Sequence, residues 1–142
     1  MRILFTLFFG LLVLSSHAQS GILGQWKSMD ENTGKPRSII ELTERNGKLY
    51  GKVIRIFSQP GEDPDPTCDK CAKDDPRYDK KVIGMEIITA LVRNEDTYNG
   101  GDILDPETGK VYRCKIWREG ENLRVRGYYG PFYRTQTWIK LP

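Results

Sequence analysis

Apolar and polar residues alternate over short runs along most of the chain, and turn-forming residues separate the runs at close spacing. A period of two, in segments rich in valine, isoleucine, tyrosine and tryptophan, marks antiparallel strands with one buried face. Gly24 to Ser28 reads as a first strand and Ser38 to Glu44 as a second, with Asn32-Thr33-Gly34-Lys35-Pro36 turning between them. Asn46-Gly47 is the two-residue signal of a tight hairpin leading into a third strand, Lys48 to Phe57. Val82 to Val92 predicts a fourth, because β-branched residues favour strand over helix where the period alone does not decide. Asp102 to Leu104, Lys110 to Arg118, Asn122 to Tyr128 and Phe132 to Ile139 complete a set of eight. The triplet Thr-Gly-Lys occurs twice, at Thr33 to Lys35 and Thr108 to Lys110, and the flanking residues do not align. Shared turn chemistry explains it better than duplication of a half-barrel.

Eight short strands in one small domain predict an all-β fold. The expected form is a single antiparallel closed barrel, since closure abolishes exposed sheet edges. A two-sheet sandwich is the alternative.

The first residues break the strand pattern. Arg2 precedes an apolar run from Ile3 to Leu14, and small residues follow at Ser16 and Ala18. This reads as a secretory signal over residues 1–18, leaving one β-barrel domain over residues 19–142. The run is short for a membrane span and no later segment is apolar enough, so no span is expected after signal removal. Export to the periplasm or the extracellular space is the expected localisation. His17 is the only histidine, and it lies inside the segment to be removed. A mature chain without histidine has no Ser-His-Asp or Cys-His nucleophile, no histidine-ligated zinc and no histidine pH switch. The 22 basic and 19 acidic residues give a net charge of +3, spread without a long basic block. That is a solvated surface, and no nucleic-acid partner is expected.

Gly24-Gln25-Trp26 is similar to the Gly-x-Trp that opens the first strand of lipocalin-like barrels. Further segments carry a wider resemblance: Gly100-Gly101-Asp102-Ile103-Leu104-Asp105-Pro106, Gly109-Lys110-Val111-Tyr112, Val125-Arg126-Gly127-Tyr128 and Arg134-Thr135-Gln136-Thr137-Trp138. With these the chain resembles an exported bacterial family, domain-of-unknown-function family 2147, over essentially all of the mature sequence. The family has no established activity, so the resemblance implies a lipocalin- or calycin-like barrel and export without naming a reaction. Ala72, Tyr98 and Tyr133 depart from the pattern, at points that affect only local loop and strand-end geometry. In lipocalin-like barrels a basic residue of the last strand lies against the first-strand tryptophan. The resemblance therefore implies Arg134 stacked on Trp26.

Between the third and fourth strands lies a long acidic, proline-rich loop, roughly Ser58 to Lys81, which holds Cys68 and Cys71. Three chemistries compete for that pair: a disulfide, a redox couple and half a metal site. An oxidising compartment favours the disulfide, which at this spacing stiffens the loop by roughly 2 kcal/mol. Asp65, Asp69, Asp74 and Asp75 oppose the thiolate that a redox couple needs. A metal site would have only Cys114 and carboxylates as further ligands, and Asp63, Asp65 and Asp69 lack the spacing of a calcium loop, so no metal and no cofactor is expected. Cys114 shares a strand face with Tyr112 and Ile116 and reads as a buried free thiol. A loop this long in a compact domain often caps a binding site.

Arg134, Gln136 and Trp138 alternate and therefore share one face of the last strand. If that face is internal, the barrel becomes a non-catalytic binding protein for a small apolar or amphipathic ligand. Trp26, Tyr112 and Trp138 would be its walls, and Arg134 and Gln136 its orienting groups. Glu86 interrupts the apolar run Ile83-Gly84-Met85-Glu86-Ile87-Ile88. It is either a buried carboxylate partnered by Arg134 or Arg126, or a solvent-facing group at the rim. Arg124 and Arg126 share an exposed face suited to an anionic envelope polymer, or simply to solvent. Two other function classes stay open: an envelope protein partner docked on the Cys68-Cys71 loop, and an enzyme using Glu86, Asp102 or Asp105 as acid or base.

Overall fold

The computed structural model describes residues 21–142, and the predicted signal segment lies outside the described residues. Eight strands follow one another: β1 (Gly24–Met29), β2 (Pro36–Arg45), β3 (Lys48–Ile56), β4 (Glu86–Asn94), β5 (Thr97–Asp105), β6 (Lys110–Glu119), β7 (Asn122–Tyr129) and β8 (Phe132–Lys140). Each pairs antiparallel with its neighbours in sequence, and β8 pairs with β1, so the sheet closes into a barrel. The predicted barrel is the observed one, and the sandwich is excluded.

Alternation places Trp26, Ile40, Leu42, Leu49, Ile88, Leu91, Ile116, Leu123 and Trp138 inside with almost no exposure. Strand polarity puts the start of β1 and the β2–β3, β4–β5 and β6–β7 turns at one end, where these side chains fill the barrel solidly. Burying each of the larger ones is worth about 1.5 to 3 kcal/mol. Leu123 and Val125 point inward, while Arg124 and Arg126 point out and donate to the hydroxyls of Thr137 and Thr135 on β8.

Two strand boundaries differ from expectation. The fourth strand starts at Glu86 and not at Val82, because Val82 to Met85 turn back on the chain: Met85 N–H donates to Val82 O at 3.0 Å. The fifth is far longer than Asp102 to Leu104, since the strand runs from Thr97 through a bulge at Gly100-Gly101. Gly100 sits at φ +82°, and a Cβ on Gly101 would stand 2.0 Å from Thr89 O of the neighbouring strand. Only glycine fits there.

The long loop from Phe57 to Met85 is stapled to itself. Thr67 and Lys81 form an antiparallel bridge, Cys68 N–H donates to Lys80 O at 2.8 Å and Val82 N–H to Pro66 O at 3.0 Å. Cys68 and Cys71 are disulfide-bonded with Cα atoms 5.4 Å apart, and both are buried. The bond holds a short turn that lies against the β5–β6 turn, where Cys68 Sγ is 3.8 Å from Pro106 O. Arg77 fixes the far side: Nε and Nη2 grip the Asp75 carboxylate at 2.9 and 2.8 Å, while Nη1 donates to Glu86 O at 3.1 Å. The Arg77 guanidinium holds the Asp75 carboxyl below its ordinary pKa. The loop is therefore a docked lid, not the structureless segment its composition suggests.

Candidate ligand cavity

At the other end of the barrel the packing stops short, and a cavity of about 630 Å³ lies beneath the lid. Trp138 and Ile40 form its base, with Val53, Ile87, Ile103, Tyr112 and Val125 around it. The lid contributes Pro66, Thr67 and Val82, and its acidic residues Glu62, Asp63 and Asp69 stand at the mouth.

Polar groups converge from β8, β1 and β2. Ser28, only 7% exposed, lies opposite Ser38 in the β1–β2 ladder, and their hydroxyl oxygens are 2.6 Å apart. Ser28 also donates to Ser38 O at 3.3 Å. Gln136 Oε1 accepts from Trp138 Nε1 at 3.2 Å, and among the described residues the Gln136 amide nitrogen has no hydrogen-bond partner. Above them Arg134 pairs with Glu31 of the β1–β2 turn at 3.5 Å, and Arg37 pairs with Glu107 of the β5–β6 turn. The second pair matters for access, because β2 and β5 stand three strands apart in the ring and the contact therefore spans the mouth. Glu107 pushes the Arg37 pKa up, chiefly through the hydrogen bond. Gly127 lines the cavity beside Tyr112; a Cβ there would approach Tyr112 Cβ to 3.3 Å. Its missing side chain leaves the room that Tyr112 occupies, and Tyr112 packs edge-on to Tyr129 at 6.0 Å.

Four of the six candidate residues, Tyr112, Arg134, Gln136 and Trp138, line this cavity together. Trp26 and Glu86 do not. Trp26 is fully buried in the solid end, where its Nε1 donates to Ile22 O at 2.8 Å. The stacking of Arg134 on Trp26 is corrected: Lys140 lies over the ring at 4.8 Å and Arg118 at 5.8 Å. The cation does come from the last strand, but from its opposite end. Glu86 projects from the outer surface and binds Arg45 at 2.5 and 3.2 Å, so neither Arg134 nor Arg126 is its partner. Arg45 holds the Glu86 carboxyl below its usual range. A one-residue register shift between Gly51 and Lys52 is what turns Glu86 away from the face of Ile88.

Of the acid-base candidates, Asp102 pairs outside with Arg113 at 3.1 Å and Asp105 reaches the mouth, where it accepts from Glu107 N–H at 3.0 Å. Glu86 and Asp102 therefore share no cavity with Asp105. Among the described residues no three His, Cys, Asp or Glu gather as a metal site. Cys114 is buried, and burial pushes its thiol up to about 12. Sequence reasoning missed Ser28, Ser38 and Arg37. Ser28 was within reach, two residues from Trp26 on the same face, whereas Arg37 enters only through the mouth's tertiary geometry.

A family model described as an uncharacterized protein conserved in bacteria (DUF2147) matches residues 24–140, which is nearly the whole barrel. The chain belongs to this family. Among solved structures this DUF2147 barrel is similar to HP1028 of Helicobacter pylori, described as belonging to the lipocalin family, with a TM-score of 0.71. The two are 20% identical, and the match covers 87% of this chain and 85% of that one. That likeness shows a lipocalin-like fold. No curated protein matches the sequence.

Proposed function

We propose that this protein is an exported, non-catalytic binding barrel that takes a small amphipathic molecule into the lidded cavity. One observation carries the reading: a barrel packed solid at one end stops packing at the other, leaving about 630 Å³ lined by apolar walls and a few convergent polar groups. That size and lining suit a small-molecule site. The lipocalin-like fold supports the same reading by analogy alone. The interaction reading, with an envelope protein on the Cys68-Cys71 turn, is the weaker one, because both cysteines are buried against the barrel.

Native mass spectrometry of protein recovered from its own compartment tests this. A stoichiometric small-molecule adduct, on a chain starting at Gln19, supports both export and binding. An adduct-free protein that also fails to take up any amphipath in vitro contradicts the binding reading.

A further inference from the structure

We infer that the ligand carries an anionic head, a carboxylate or a phosphate, held by Arg37 and Arg134 at the cavity mouth. This rests on the lumen-binding reading above. The cavity has two chemically different sides. Its donors stand on three adjacent strands: Arg134 and Gln136 on β8, Ser28 on β1, Arg37 and Ser38 on β2. The opposite side is apolar, with Ile87 on β4, Ile103 on β5, Tyr112 on β6 and Val125 on β7. A molecule with a polar acceptor at one end and a hydrocarbon body matches that division.

Both arginines are already occupied by carboxylates, and neither carboxylate comes from a barrel strand. Glu107 and Glu31 belong to turns, and each pair is largely open to solvent, with side-chain exposures of 39% and 62% for Arg37–Glu107 and 67% and 41% for Arg134–Glu31. Ion pairs of this kind are weak and exchange readily. Glu107 and Glu31 thus stand where the ligand's own anion would bind, and guanidinium groups accept carboxylate and phosphate in the same two-pronged geometry. The Gln136 amide nitrogen, which has no hydrogen-bond partner among the described residues, provides a further donor one step deeper. Displacing Glu107 from Arg37 would also undo the contact that spans the mouth, so binding of the head and opening of the entrance become one event.

Acidic groups line the mouth too, and they oppose an anion. Asp63 and Asp105 already accept backbone N–H groups, from Asp65 at 2.9 Å and Glu107 at 3.0 Å, and Lys70 stands among the acids. Glu62 and Asp69 sit on the lid, while the arginines, Gln136 and the serines sit on the barrel wall that descends to Trp138. The donors thus share the wall that carries Trp138, while these two acids stand on the lid, and this favours the anion over a cationic head.

Calorimetric titration of delipidated full-length protein with dodecanoate, dodecyl phosphate, dodecanol and dodecylamine tests the inference. The two anions are expected to bind about tenfold or more tightly than the alcohol, with the amine weakest. Whichever anion binds better identifies the head. R134Q is expected to weaken both anions about tenfold and leave the alcohol unchanged, and E107Q, which frees Arg37, to tighten them. Thermal midpoints establish that each variant is folded, and R37Q serves as a second probe of the same pair. Alcohol or amine binding as tight as dodecanoate, or an anion preference that survives both arginine substitutions, overturns the inference while leaving the lumen reading intact. Failure of all four probes overturns the lumen reading, and this inference with it.

Discussion

Replacing Gly109 by alanine is expected to lift the lid, and the molecule supplies its own control. The two Thr-Gly-Lys turns have the same construction. Gly34 N–H donates to Asp30 O at 2.7 Å and Gly109 N–H to Asp105 O at 2.8 Å, while Lys35 and Lys110 N–H each donate to the threonine hydroxyl at 3.3 Å. The glycines sit at φ +69° and +74°. Alanine in that left-handed region costs about 1 to 2 kcal/mol at either position. The surroundings differ: a Cβ on Gly34 meets nothing within 4 Å, whereas one on Gly109 would stand 1.8 Å from Lys70 O and 2.8 Å from Cys71 N. Non-bonded heavy atoms rest about 3.5 Å apart, so the lid backbone must retreat by well over 1 Å, at an overpacking cost of about 1 to 3 kcal/mol. Gly109→Ala should therefore be destabilised beyond Gly34→Ala by that amount, roughly 3 to 6 °C per kcal/mol in thermal midpoint for a domain of this size. Hydrogen exchange localises the effect. The amides of Cys68, Asp79 and Val82, bonded to Lys80, Cys68 and Pro66 carbonyls, should exchange faster in Gly109→Ala and not in Gly34→Ala. Equal midpoints and unchanged lid exchange in the two variants would refute the docked lid.

Three further outcomes follow from the same geometry. Glu86→Gln should leave the thermal midpoint close to wild type, because the Arg45 pair is exposed on the outer surface; a large drop would mean that the carboxylate is buried after all. The Asp75 carboxyl, held below its ordinary value of 3.8 by Arg77, contributes lid stability that is fully present above that value and lost as the pH falls through the lowered one. Lid opening, read as exchange corrected for each amide's intrinsic base-catalysed rate, should increase only in that acid range, and an increase in opening near neutrality would contradict it. Cys114, its thiol buried and pushed up to about 12, should resist iodoacetamide at pH 8 in the native protein and react on unfolding; rapid native labelling would show the site to be open.

The barrel was legible because a period of two fixes which residues share a face, and Arg134, Gln136 and Trp138 came out together for that reason. Position along the barrel axis was not legible. Arg134 and Lys140 share a face of β8 but stand about 20 Å apart at the usual strand rise, and the register opposes Lys140 to Trp26. For Glu86 the solvent-facing alternative holds and the buried one does not, because one extra residue in β4 reverses the alternation on which its face depends. The lid's composition announced a loop, and the expected oxidising compartment favoured the disulfide among the three chemistries open to the cysteine pair. What the loop covers depends on Gly109, Pro106, Arg37 and Glu107, which meet only after the barrel closes. The Asp-to-Gly turns, by contrast, were readable from local chemistry alone, and their hydrogen bonds are near-duplicates.

Ligand binding in the space above Trp138 can be read from the protein's own fluorescence. Of the three tryptophans, Trp138 alone lines the cavity, Trp26 lies in the solid end and Trp117 is on the outer face under Arg126 at 4.9 Å. Titration with a terminally brominated dodecanoate, followed by tryptophan fluorescence, therefore reads cavity occupancy directly. Saturable quenching at one ligand per barrel is expected, largely lost in Trp138→Phe and retained in Trp117→Phe. Quenching that does not saturate, or that survives in Trp138→Phe and disappears in Trp117→Phe, would contradict it.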